Sequence, residues 1–276
     1  MKKKSINVVL TTYKRVKHTL KCLNHLLKCD IPTDFELKIF IADSNSPDNT
    51  LEIIRNKYPF IEVFNVGDNV FWNQGMRLAW QKAACSNPEY YLLLNDDTFL
   101  KRNTLKILLD DYKSIKTPSI IVGVTDYNGK LTYGGRNEKY NSDLIRPNGS
   151  PQEITYMNGN CVLVSESIFK KLGILNPRYS HSLGDIDYGL TAIKNNIGVY
   201  ISSFVIGNCS SNSFIWYSPE ISIFRRFKFL FSPKGLPLKE YVYFNYTFFG
   251  IFKVFKFLAS TIVALLLPKL FIKIQQ

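Results

Sequence analysis

Residues 90–98, YYLLLNDDT, decide how this chain is read. Tyr90 to Leu94 form an apolar run with no polar break, which makes a strand buried on both faces. The polar turn after it puts Asn95, Asp96 and Asp97 at the carboxyl end of that strand. Two adjacent carboxylates pack badly there, but they suit a hard divalent cation, Mg2+ or Mn2+, able to bridge a diphosphate. Taken alone, the tripeptide reads equally as a solvated turn with a helix cap.

Towards the N-terminus the same alternation repeats. Ile6–Leu10 reads as a buried strand, followed by Val16, Leu20, Leu23, Leu26 and Leu27 at helical spacing. Glu36–Ala42 is a second strand. Ser46-Pro47 offers a cap and a first-turn proline for a helix running through Arg55. Phe60–Val66 gives a third strand and Asn73–Cys85 a third helix. Apolar strands alternating with helices mean an α/β fold with a parallel, doubly wound sheet, which binds ligands beyond the carboxyl ends of its strands. The polar segments to inspect are therefore Thr11–Arg15, Asp43–Ser46, Gly67–Asn69 and Asn95–Thr98. Asp43 is placed to accept hydrogen bonds from a nucleobase.

Towards the C-terminus, Pro118–Val124 reads as a strand, followed by Gly- and Asn-rich sequence (Asn128-Gly129, Gly134-Gly135, Asn148-Gly149) that suggests hairpins and a mobile loop. Thr155–Ser165 reads as a strand leading into a short helix that ends at Leu172. Asp185–Asn196 is a helix and Gly198–Ser202 a last strand. A second acidic cluster, Gly184-Asp185-Ile186-Asp187, opens that helix. Its carboxylates are either helix-dipole partners or, for Asp185 or Asp187, a base that takes a proton from an acceptor hydroxyl. His181 beside them reads as structural or acceptor-lining.

Composition narrows the function classes. The chain has 276 residues, 46% of them hydrophobic, and a net charge of +13. From Ile221 onward there are nine Lys or Arg against the single acid Glu240, so the basic character is concentrated in the tail. The tail also holds an apolar run, Phe257–Leu267, too short to span a bilayer and better suited to an interfacial helix or buried hairpin meeting a membrane surface. Five scattered cysteines without a Cys-x-x-Cys spacing fit neither a disulfide framework nor a zinc site, and a reducing cytoplasm suits them. No signal-peptide pattern is present. The phosphate-binding loop, dinucleotide fingerprint and nucleophile elbow are also missing. Nucleic-acid binding and a non-catalytic role in a glycan pathway are the alternative readings; no DNA- or RNA-binding motif supports the former.

Together these pieces resemble glycosyltransferase family 2, the inverting enzymes of the GT-A fold, and in particular rhamnosyltransferase-like bacterial members. The matching stretches are VVLTTYKR (8–15), ADSNSPDNT (42–50), NVFWNQGM (69–76), LLLNDDT (92–98), MNGNCVLVSESIF (157–169) and GDIDYGLTAIKNN (184–196), in the family's order. The resemblance implies a catalytic domain over residues 1–215 and a basic, helical, membrane-associating segment over 216–276. It implies that Thr11, Tyr13, Arg15, Asp43, Asn95 and Asp96 bind the donor nucleotide, that Asp97 binds Mg2+ or Mn2+, and that Trp72, Asn73 and Gly75 line the donor-sugar pocket. Asp185 would be the catalytic base, with Asn158, Gly159, Asn160 and Asp187 bordering the acceptor. The implied reaction moves rhamnose, galactose or a similar sugar from a UDP-, dTDP- or GDP-sugar, with inversion, to a glycan or lipid-linked glycan of a bacterial surface polysaccharide. The implied place is the cytoplasmic face of the inner membrane, with no nucleic-acid partner and a homodimer left open. Gly207-Asn208-Cys209 stands where many members carry a metal-binding histidine, Gly184 where many carry Glu, Thr191 where many carry Arg, and Arg77 where Asn is common.

Overall fold

Ile6, Val8, Val9 and Leu10 all lose contact with water, as a strand flanked on both faces must. Their alternation is visible in the packing. Ile6, Val8 and Leu10 join one core layer with Leu23, Leu26, Ile54 and Leu108, while Val9 joins the opposite layer with Met76, Trp80 and Tyr91. Asn7 is the polar exception, donating from Nδ2 to the Ala83 carbonyl and the Ser86 hydroxyl, both at 2.7 Å.

The computed structural model describes residues 3–139, 142–211 and 216–275. The chain forms two units, Met1–Pro177 with Gly184–Ser211, and Arg178–Leu183 with Asn212–Gln276. The first runs β1 (Lys4–Thr12), α1 (Val16–Leu27), β2 (Phe35–Asp43), α2 (Thr50–Lys57), β3 (Glu62–Asn65), α3 (Trp72–Ala84), β4 (Tyr90–Leu94), β5 (Phe99–Leu100) and α4 (Thr104–Ser114). It continues through β6 (Ser119–Tyr127), β7 (Lys130–Tyr133), β8 (Gly135–Arg136), β9 (Gln152–Glu153), β10 (Tyr156–Met157), β11 (Cys161–Ser165), α5 (Glu166–Leu172), α6 (Gly184–Lys194) and β12 (Gly198–Asn208).

The main sheet has the order β3-β2-β1-β4-β11-β6-β12-β5. The pairs β3/β2, β2/β1, β1/β4 and β6/β12 are parallel, whereas β11 lies antiparallel between β4 and β6. The sheet is thus mostly parallel, as the resemblance to the GT-A fold implies. Asn128 and Gly129, both at positive φ (50° and 76°), turn the β6–β7 hairpin, as their sequence signal requires. Part of the expected mobile loop, Tyr140 and Asn141, lies outside the described residues, as does 212–215, where the 215/216 boundary was expected.

Three elements differ from the sequence reading, one of them β12, which runs past the expected end at Ser202 to Asn208. Helix α2 starts at Thr50, after Asn49 in a left-handed conformation, rather than at Ser46. The Ser46 hydroxyl instead accepts the Lys14 N–H at 2.9 Å and donates to Asp43, so it closes the turn after β2 and is not free to cap. The expected strand over Thr155–Ser165 is two strands, β10 and β11, broken at Asn158–Asn160.

The second unit holds α7 (Ile223–Phe229), α8 (Leu238–Phe249), α9 (Ile251–Leu266) and α10 (Pro268–Gln275). Gly250, at φ 80°, makes the reversal between α8 and α9, and Pro268 opens α10 where its missing N–H costs nothing. Arg226 of α7 is buried and donates from Nη1 to the Leu265 carbonyl at 2.6 Å, satisfying the end of α9. The Glu240 carboxylate accepts from the Ser180 hydroxyl (2.6 Å) and N–H (3.1 Å), which ties the 178–183 segment to α8. Among the described residues no helix is long and apolar enough to cross a membrane.

Candidate active site

The parallel pairing of β2, β1 and β4 brings their carboxyl ends together. Thr12, the last residue of β1, stands opposite Asp43 in the register, and its hydroxyl donates to Asp96 Oδ2 at 3.0 Å. Thr19 of α1 donates to the same oxygen at 3.2 Å. Asp96 is buried, and that burial pushes its pKa up to about 6 despite the opposing pull of the Arg15 guanidinium; the Asp97 carboxylate adds to the rise. Arg15 spans both acids, with Nη1 3.4 Å from Asp96 Oδ1 and Nη2 bonded to Asp97 Oδ2. It therefore lies against the carboxylates.

Asp43 is 1% exposed, and its carboxylate accepts from the Ser46 N–H at 2.9 Å and from the Ser46 hydroxyl. Thr11 donates to the Ala42 carbonyl at 3.1 Å, while Tyr13 stands exposed at the rim. Asn45, bonded to Asp68 (2.8 Å) and Asn65 (3.0 Å), braces the loops that follow β2 and β3.

The sugar-pocket and acceptor candidates meet the same place. Trp72 Nε1 donates to Asn95 Oδ1 at 2.7 Å, and the Asn95 N–H donates to the Asn160 carbonyl at 2.9 Å. A Cβ on Gly159 would stand 2.8 Å from the Trp72 ring and 3.0 Å from Asp185 Cβ, so only glycine permits this approach. A Cβ on Gly75 would meet the Thr11 hydroxyl at 2.0 Å, and one on Gly184 would meet Asn73 Oδ1 at 1.9 Å. Backbones are packed as closely here as side chains elsewhere.

Asp185, near the start of α6, accepts from the Gly159 N–H at 2.7 Å and the Ile186 N–H at 2.9 Å. The residue keeps partial solvent access, but its carboxyl group is enclosed by protein, and this burial raises its pKa against those two bonds. Asp187 is buried on another side of α6 and accepts from Asn176 Nδ2 at 3.3 Å. Asn158 Oδ1 accepts from Arg136 Nη1 at 2.9 Å.

Several participants carry little local signal. Cys209 follows β12, and its thiol lies 3.6 Å from Asp97 Oδ1 and 3.5 Å from Asn160 Nδ2. Burial and then Asp97 push its pKa up to about 12. Its position after β12, where the family pattern has a histidine, was the one cue. A cavity of about 320 Å3 opens beside Asp97, lined by Lys17, His18, Lys21, Phe99, Tyr127 and Cys209. The polar Thr19 on the buried face of α1 also pointed inward, where a helix facing a strand would otherwise be apolar.

No group of three or more His, Cys, Asp or Glu among the described residues is arranged to hold a metal. A hard cation that keeps several waters and shares substrate phosphates needs only one or two carboxylates. Asp97, partly exposed at the cavity, offers one such carboxylate, and a cation arriving with a diphosphate would have to share it with Arg15 on Oδ2 and Cys209 on Oδ1.

The sequence matches glycosyl transferase family 2 over residues 7–173. The chain belongs to this family. The match takes in β1 through α5 and stops before Asp185 and α6. Several solved structures share the fold. The chain is similar to Staphylococcus aureus TarS 1–349 in complex with UDP-GlcNAc, at 16% identity and a TM-score of 0.56 over 82% of this chain, and it spans 64% of that one. It is also similar to the Pyrobaculum calidifontis mannosyltransferase PcManGT in complex with GDP-Man and Mn2+, at 13% identity and a TM-score of 0.57 over 96% of this chain and 82% of that one. At such identities these likenesses show the GT-A fold of this family-2 chain. No curated protein matches it in sequence.

Proposed function

We infer that the chain transfers a sugar from a nucleotide diphosphate sugar to a hydroxyl of a glycan acceptor, with inversion at the anomeric carbon. One observation supports this reading: Asp97 and Asp185 come from distant parts of the sequence yet are linked through contacts of Cys209, Asn160 and Gly159. The nucleotide lies over the ends of β1 and β2, between Tyr13 and the loop at Asn45. Asp97 would hold Mg2+ or Mn2+, which would supply charge neutralisation for the leaving diphosphate. Arg15, already on both carboxylates, is in reach to meet phosphate oxygens. Trp72, Asn73 and Gly75 form the wall of the sugar pocket. Asp185 draws the proton from the acceptor hydroxyl, and its raised pKa makes it a stronger base than an ordinary carboxylate. The acceptor is lipid-linked and belongs to a bacterial surface polysaccharide, assembled at the inner face of the membrane.

A thermal-shift panel of UDP-, dTDP- and GDP-sugars with Mn2+ tests the donor. At about 100 times Kd a true ligand adds about 2.7 kcal/mol to stability, a shift of several degrees. Turnover of that sugar requires the metal and is lost in Asp97→Ala. An Asp97→Ala chain with undiminished metal-dependent turnover removes the site from consideration.

A further inference from the structure

Along α9, Phe252 is 81% exposed, Phe255 62% and Ile262 57%. With Ala259 and Leu266, these exposed positions step by three and four residues and line one side of the helix, while Val254, Thr261 and Ala264 face inward. Lys253 and Lys256 flank the stripe. On α10, Leu270 and Ile274 are exposed beside Lys269 and Lys273, and on α7 Phe224 is 81% exposed next to Arg225. A stripe of exposed phenylalanine and aliphatic side chains interleaved with lysine has one natural counterpart in chemistry, an apolar slab covered by negative headgroups.

The length of α9 limits how it meets that slab. Its 16 residues extend about 24 Å, short of the roughly 30 Å of a hydrocarbon core, so the helix lies in the interface plane. Charge argues against a second copy as the occupant. With nine basic residues and one acid after Ile221, two such faces would repel, and the cores of protein interfaces are depleted of charge.

We propose that the exposed face of α9 and α10, with Phe224 of α7, is a docking surface for an anionic lipid bilayer. Phenylalanine rings enter the acyl boundary, and the lysines stay at the headgroups. The inference deepens the lipid-linked-acceptor reading above and rests on its premise that the chain works at a membrane.

Co-sedimentation of the full chain with vesicles tests it. Binding is expected to phosphatidylglycerol–phosphatidylcholine vesicles, not to phosphatidylcholine alone, and to weaken with salt. The Phe252→Ser/Phe255→Ser chain is expected to bind about tenfold less or weaker still, and Lys253→Glu/Lys256→Glu to lose the preference for anionic lipid. Brominated acyl chains should quench the added emission of Phe252→Trp. No vesicle binding, or equal binding by the double-serine chain, overturns the proposal. So does a dimer in sedimentation velocity that the double-serine change dissociates, since that assigns the face to a second copy. The donor thermal shift, measured without lipid on the same samples, separates this failure from failure of the transfer reading.

Discussion

In the proposed transfer reaction, pH acts on turnover through Asp185. Burial raises its pKa, so the folded chain holds its proton at pH values where an unfolded aspartate has released it. As a base it works only when ionised, and the acid limb of kcat/KM is therefore expected above the ordinary carboxylate value of about 4. Asp185→Asn is expected to lower kcat by roughly 100-fold or more. The same shift has a stability consequence of opposite sense. The wild-type fold loses stability as pH rises through the window between the unfolded and folded pKa, and the variant does not. The difference in Tm therefore moves in the variant's favour as pH rises. An acid limb at the ordinary carboxylate value would show that Asp185 is not the titrating base.

At the scale of elements, α9 depends on a side chain from α7. The Arg226 Nη1 reaches the Leu265 and Ala264 carbonyls in its last turn, which have no helical partner of their own. Arg226→Ala is expected to cost about 1–3 kcal/mol, and Arg226→Lys to recover only part of it, because an ammonium is more strongly hydrated than a guanidinium and is harder to bury. Circular-dichroism melts check this; an unchanged Tm in Arg226→Ala would show that the cap contributes nothing. Elements were also what the sequence disclosed best. The runs Ile6–Leu10 and Tyr90–Leu94 announced β1 and β4, because a strand covered on both faces has no room for polar residues. Strand direction was not legible: Cys161–Ser165 is as apolar as Tyr90–Leu94, yet β11 runs antiparallel, and only its neighbours decide that. Ser46 misled because its hydroxyl had two claimants, a helix start and the Asp43 carboxylate, and the second won. In the site, the carboxylates were visible as residues out of place in apolar surroundings. The Cys209–Asp97 contact, bridging 112 positions, was beyond any local pattern.

For the whole molecule, the charge is lopsided and so is its response to acid. His181, in the second unit, is driven down to a pKa of about 4 by burial and then by Lys234. A base whose folded pKa is depressed contributes stability above its unfolded pKa, about 6.5, and that contribution is lost as pH falls towards 4. The loss amounts to about 3 kcal/mol at most. His181→Gln is therefore expected to flatten the fall in Tm between pH 6.5 and 4. A variant whose Tm falls as steeply as wild type would place the acid sensitivity elsewhere.

The excursion from Arg178 to Leu183 belongs to the second unit although it interrupts the first in sequence. The polypeptide leaves the sheet-bearing unit at Pro177, anchors Tyr179, wholly shielded from water, and Ser180 among the C-terminal helices, and returns at Gly184, one residue before Asp185. Removing the residues after 211 is expected to expose the Tyr179 ring and to leave the Ser180 hydroxyl without its Glu240 partner, a few residues before Asp185 in the sequence; a shortened chain that melts at the same Tm as the full one would show that this anchoring contributes nothing.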